Sequence, residues 1–168
     1  MTANPDYENI GDHSESVEVE FDPTQVTYAQ LLDIFWKAHN ASEKPWLRQY
    51  MSAIFYHSEE QQQIALTAKA REEAKLPTGQ INTEILPATP FYQAEDYHQK
   101  FYLKFEDDLV KELRAYYPDF NDYVRSTVVA RVNGFIRSYG NLEVLRRELP
   151  DYGLSAQAGK KLLEMATK

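Results

Sequence analysis

Ala53-Ile54-Phe55-Tyr56-His57-Ser58-Glu59-Glu60-Gln61 decides the fold class. A short apolar run, the pattern of a buried strand, passes at His57-Ser58 into a helix start. Ser58 with Gln61 has the spacing of a capping box, and an alanine-rich continuation carries the helix to about Lys75. Pro77 and Gly79 end it. Ile81, Thr83 and Ile85 then alternate as a further strand, closed by Pro87 and Pro90. Upstream, Val17, Val19 and Phe21 alternate with Glu18 and Glu20, which predicts a strand with one buried face, stopped at Asp22-Pro23. Thr27 with Gln30 caps a helix whose apolar stripe is Tyr28, Leu31, Leu32, Phe35 and Trp36. Residues 40–49 break the pattern and read as a loop.

Downstream the chain turns helical. From Ala94, Tyr97, Phe101 and Phe105 recur at four-residue spacing. Leu109, Leu113 and Tyr116 form one stripe up to Pro118. Tyr123, Val124, Val128, Val132, Phe135 and Ile136 form a longer one, with Gly140 as its C-terminal cap. Asn141 caps a short helix to Leu149, and Ser155 caps a last one containing Leu162 and Leu163. The expected fold class is α+β, a small sheet first and a helical tail after it. Three strands are few for a sheet covered by several helices.

Composition narrows the function. The chain has 168 residues, enough for one domain with a real core, and a net charge of −8. That charge argues against a nonspecific nucleic-acid binder and against docking on anionic membranes. No run approaches the roughly 18 apolar residues that span a bilayer. Residues 1–7 have neither signal-peptide nor transit-peptide character, so the expected location is cytoplasmic. There are 12 tyrosines, 8 phenylalanines and no cysteine. The last fact excludes disulfides, zinc–thiolate sites and every thiol mechanism performed by these residues alone.

Read singly, the candidate site residues are unremarkable: Tyr7 and Tyr50 as half-buried aromatics, Glu15 as a surface carboxylate before a strand, His13 as a hydrogen-bonding loop residue. Glu95 and His98 have the Glu-x-x-His spacing of bundle metal sites, but such sites need a second copy and none exists. No metal and no cofactor are expected. Lys160-Lys161 and Arg146-Arg147 read as solvated helix charges.

In order, the motifs resemble a family. Asn4-Pro5-Asp6-Tyr7, His13-Ser14-Glu15 and Val17 to Pro23 resemble the "NPxY … HxE … YDP" stretch of class A peptide methionine sulfoxide reductases. Phe35-Trp36 with His39 resembles their "FW…H", and Gln49-Tyr50-Met51-Ser52-Ala53-Ile54 their "QYRSAI". Thr83-Glu84-Ile85, Phe91-Tyr92 and Ala94 to Gln99 resemble "TEI … FY.AEDYHQ". The similarity spans residues 4–105 and implies a ferredoxin-like sandwich with a small mixed sheet. The implied domains are 1–105, reductase-like, and 106–168, a helical extension.

The resemblance also implies roles. Glu15 corresponds to the family's acid, and Tyr7 and Tyr50 to the tyrosines that orient the sulfoxide oxygen. Asp96, His98 and Gln99 correspond to residues holding a helix against the active-site loop. The implied substrate is oxidised methionine in peptides or proteins, with a thioredoxin-type reductant and a role in oxidative damage repair. The chain departs from the family where chemistry matters most. The Gly-Cys-Phe-Trp segment that carries the nucleophile, with its strand and following helix, is absent. Glu43-Lys44-Pro45-Trp46-Leu47-Arg48 stands where the family reads "GNDxGTQ". Oxygen nucleophiles cannot replace a thiolate at sulfur. The expectation is therefore a truncated reductase, inactive as it stands, the alternative being a noncatalytic binding module.

Overall fold

The computed structural model describes residues 5–77 and 80–167. Asn4 of the first motif and Gly79, expected to stop a helix, lie outside them. The chain divides into two compact units, residues 1–93 and 94–168. The class is α+β, with two paired strands in the first unit and mostly helix in the second.

In the first unit, helix α1 (Tyr28–Ala38) begins at Thr27, whose side chain accepts from the Gln30 N–H while Gln30 returns a bond to the Thr27 N–H; the capping box is complete. Strand β1 (Ala53–Tyr56) leads into helix α2 (Glu59–Glu73), capped by Ser58. Gln61 does not close the expected box there. Its side-chain oxygen accepts from His57 N–H instead, one residue earlier. Strand β2 (Glu84–Pro87) pairs with β1 in parallel, Ile54 opposite Ile85. A parallel neighbour needs a crossover, and α2 supplies it.

Leu32 and Trp36 of α1, Ile54 of β1, Ala65 and Ala68 of α2, and Ile81 make this unit's core. Alanines on the inner face of α2 leave room for the larger residues of α1. Arg71 of α2 and Asp33 of α1 close the outer edge at 2.5 Å. Thr83 is fully buried. His39 receives it: His39 Nδ1 lies 2.8 Å from Phe35 O and Nε2 3.1 Å from Thr83 Oγ. The end of α1 is thereby tied to the approach to β2.

Two expectations for this unit are corrected. Residues 17–21 form no strand, and Val17 and Val19 are 87% and 58% exposed. Alternation states which side could be buried, but a strand also needs a partner, and the only ladder among the described residues joins β1 to β2. The last predicted strand starts three residues late, at Glu84. Ile81 and Thr83 keep the alternating burial but precede the ladder.

In the second unit the helices are α3 (Asp107–Tyr116), α4 (Phe120–Arg125), α5 (Thr127–Phe135), α6 (Leu142–Glu148) and α7 (Ala156–Met165). Leu109 and Leu113 of α3, Val129, Val132 and Phe135 of α5, Leu145 of α6 and Leu162 of α7 are buried together with Leu103. Asn141 and Ser155 cap α6 and α7 as the sequence predicts. Arg131 and Glu148 form an ion pair between α5 and α6.

Here the sequence reading needs four corrections. Residues 94–105 are not an α-helix; they hold two single 3-10 turns, Asp96–His98 and Leu103–Phe105. Lys100 has φ +46°, which an α-helix does not accommodate, and the Tyr102 and Leu103 N–H groups donate to Asn133 Oδ1 instead of to carbonyls one turn back. Tyr97, Phe101 and Phe105 consequently face outward around Lys104, whose ammonium sits 4.1 Å from the Phe101 ring and 5.0 Å from that of Phe105. The long helix predicted over 123–136 is two, broken at Ser126, whose extended ψ of 125° ends α4 while its hydroxyl caps α5. Gly140 lies beyond a turn that follows α5 and does not cap it. Tyr116 is exposed and off the α3 stripe.

Candidate functional site

Tyr7, Glu15 and Tyr50 belong to the first unit, in three separate segments of it. Tyr50 ends a 3-10 turn, Arg48–Tyr50, between α1 and β1. That turn is bracketed by residues 12–15. The Glu15 N–H donates to Gln49 O at 3.0 Å, Ser14 Oγ to Arg48 O at 3.0 Å, and Arg48 Nε to Asp12 O at 3.4 Å. Gln49 Nε2 completes the clasp by donating to Glu15 Oε1 at 2.8 Å. Tyr7 sits at a turn set by Asp6, whose carboxylate and carbonyl both accept from the Asn9 N–H.

The structure brings the three together. Partial desolvation raises the Tyr50 hydroxyl above the ordinary phenol range. A hydrogen bond with Tyr7 and the nearby Glu15 side chain push in the same direction. A hydroxyl held protonated in this way remains a donor across the physiological range. The site is open: Tyr7, Glu15 and Tyr50 are all exposed. Two hydroxyl donors on one open surface suit a strong, uncharged hydrogen-bond acceptor such as an S=O oxygen, while the Glu15 carboxylate beside them can only accept.

One residue beside Tyr50 was not singled out from the sequence. The Trp46 ring stacks on that of Tyr50, centroids 5.2 Å apart and planes 27° apart, and is 78% exposed. The available signal was a tryptophan beside Pro45 in a largely polar loop. His13 makes an edge contact with Tyr92 at 5.4 Å, so the motif around residue 13 and the Phe91-Tyr92 motif also meet.

The remaining candidates lie in the second unit. Asp96 and His98 belong to the first of its 3-10 turns, and Gln99 Nε2 donates back to Ala94 O at 2.9 Å. Glu95 Oε2 and His98 Nε2 are 3.8 Å apart, and among the described residues no group of three or more His, Cys, Asp or Glu could hold a metal. No described helix is long and apolar enough to cross a membrane.

Known proteins with this pattern are consistent in kind. The family model described as "Peptide methionine sulfoxide reductase" matches residues 1–124, running past residue 105 into α4. A "Peptide methionine sulfoxide reductase" of Drosophila melanogaster is 38% identical over 152 residues, covering 90% of this chain and 61% of that protein. "Peptide methionine sulfoxide reductase A5" of Arabidopsis thaliana is 38% identical over 137 residues, 79% of this chain and 53% of its own length. "Peptide methionine sulfoxide reductase MsrA" of Methanosarcina acetivorans is 46% identical over 110 residues, 60% of this chain and 58% of its own. The chain thus spans between 53% and 61% of these relatives' lengths. With residues 1–124 matched by its model and the Tyr7, Glu15 and Tyr50 motifs inside that span, the chain belongs to the peptide methionine sulfoxide reductase family.

Proposed function

We propose that this chain carries the oxygen-recognising side of a site for methionine-S-sulfoxide in peptides and proteins, and that reduction needs a thiol from outside these 168 residues. The observation that carries the reading is the Tyr7–Tyr50 hydroxyl pair with the Glu15 charge beside it. In this reading the two hydroxyls donate to the sulfoxide oxygen, and the Glu15 carboxylate takes the proton that the attacking thiol gives up and passes it to that oxygen as the S–O bond breaks. The electrons come from two thiols. The first, as thiolate, attacks the sulfoxide sulfur; the oxygen passes to it as a sulfenic acid and leaves the methionine as a thioether. The second thiol condenses with the sulfenic acid, giving a disulfide and water. A thioredoxin-type partner is the expected source of reducing equivalents. With no cysteine in the sequence, the chain binds but does not turn over.

The test titrates N-acetyl-methionine-(S)-sulfoxide amide and the corresponding unoxidised methionine amide into the chain, by NMR or calorimetry. The sulfoxide binds more tightly, and Tyr50→Phe loses about three- to tenfold of that preference, the worth of one hydrogen bond. Equal binding of both amides would refute the reading. In parallel, dithiothreitol or thioredoxin with an oxidised peptide yields no methionine above background; measurable turnover would overturn the thiol requirement.

A further inference from the structure

An indole facing solvent is uncommon because it forfeits one of the largest apolar burials a side chain can make. Trp46 does so while its partner of the same kind, Trp36, is buried in the α1 core at 7% exposure. Its position is not loose. The loop around it ends in the Arg48–Tyr50 turn, where Tyr50 N–H donates to Leu47 O and Met51 N–H to Arg48 O. The clasp of Glu15 to Gln49 and Ser14 to Arg48 fixes the same turn from the other side. One face of the Trp46 ring lies against Tyr50, and Leu47 next to it is also exposed. An apolar shelf is therefore held at the edge of the very hydroxyls that would grip a sulfoxide oxygen.

We infer that Trp46 is a substrate-binding residue, its ring covering the aliphatic arm and S-methyl end of the methionine side chain whose oxygen meets Tyr50 and Tyr7. The inference rests on the site reading above and adds to it the apolar contact that the hydroxyls lack. A methionine side chain is flexible and polarisable, and its sulfur and methylene groups pack favourably against aromatic rings. The division of labour is specific. Trp46 recognises what oxidised and unoxidised methionine share, whereas Tyr50 and Tyr7 recognise the oxygen that distinguishes them.

That division sets the experiment. The 168-residue chain, Trp46→Ala, Trp46→Phe and Tyr50→Phe are titrated with the (S)-sulfoxide amide and with the unoxidised amide. Circular dichroism confirms that each variant is folded. Trp46→Ala weakens both ligands by the same factor, about tenfold, and leaves their ratio unchanged. Trp46→Phe recovers part of the loss for both. Tyr50→Phe instead collapses the ratio. In the unmodified chain, either ligand shields the exposed indole from acrylamide quenching. Were Trp46 only a prop for Tyr50, its removal would collapse the ratio as Tyr50→Phe does, and that result overturns the inference. Unchanged affinity for both ligands in Trp46→Ala overturns it as well while sparing the site reading. Failure of the unmodified chain to bind either amide overturns both.

Discussion

Replacing Thr83 by valine swaps a hydroxyl for a methyl of nearly the same shape, inside a fully buried position. The carbonyl of Phe35 can only accept, so a neutral His39 ring carries its proton on Nδ1, and Nε2 accepts from the Thr83 hydroxyl. Valine leaves that nitrogen without its partner in a part-buried place. A buried polar group so stranded costs about 1–3 kcal/mol, and because His39 keeps some access to water the expected loss is about 1–2 kcal/mol. For a unit this small, urea slopes of about 1–1.5 kcal/mol per molar turn that loss into a midpoint shift of about 1 M. Tryptophan emission is the appropriate probe. Both tryptophans lie in the first unit, and the Trp36 ring stacks on that of His39 with centroids 5.8 Å apart. A cycle with His39→Leu isolates the pair, with an expected coupling of about 1 kcal/mol. An unshifted midpoint in Thr83→Val, or a coupling of zero, would mean the two side chains do not hold α1 to β2 in solution.

Acid sensitivity and backbone conformation supply further tests in the second unit. The Ser155 N–H, at 2.6 Å, and then its hydroxyl, at 2.7 Å, hold the Glu112 carboxylate below its ordinary range. A carboxyl depressed in the folded state stabilises fully above its unfolded value, about 4.3, and that contribution fades as pH falls through the lower folded value. Glu112→Gln is accordingly less stable than the parent at pH 7, and the gap in melting temperature narrows toward pH 3; a gap independent of pH contradicts the assignment. Gly140 has φ +121°, and a Cβ there would meet Phe135 Cε1 at 2.6 Å. Gly140→Ala therefore lowers stability by about 2–4 kcal/mol, whereas Gly134→Ala, whose Cβ would meet nothing closer than 3.7 Å, is neutral or slightly stabilising. Equal melting of the two alanine variants would refute the difference.

Local signals were legible where one side chain settles one backbone question. The Thr27, Ser58, Asn141 and Ser155 caps are in the sequence because a hydroxyl or amide at a helix entrance satisfies N–H groups a few residues on. Illegible features depend on distant partners. Whether Val17 to Phe21 becomes a strand turns on a neighbour that alternation does not specify. Whether Tyr97, Phe101 and Phe105 line a helix turns on Asn133, which captures two N–H groups from more than a turn's reach away. Ser126 carried a readable cap signal, obscured by the apolar run through it. At the candidate site, Tyr7, Glu15 and Tyr50 were proposed from family motifs rather than from their chemistry, and the contact of Glu15 with the Tyr50 turn depends on the clasp at Gln49, a long-range contact. Trp46 went unnoticed because it sits where this sequence departs from those motifs.

The parallel ladder between β1 and β2 bears on the order of events in folding. Its first pair, Ala53 with Glu84, is separated by the whole of α2, so no rung can form until that long connection has closed. The closure entropy falls due before any rung repays it, and non-local pairing of this kind slows a chain. Docking of α2 on α1 through Ala65, Ala68, Leu32 and Trp36 is what shortens the search, bringing the two strands within reach. The expected order is therefore helices first and sheet last, with the two four-residue strands pairing only after α2 has docked.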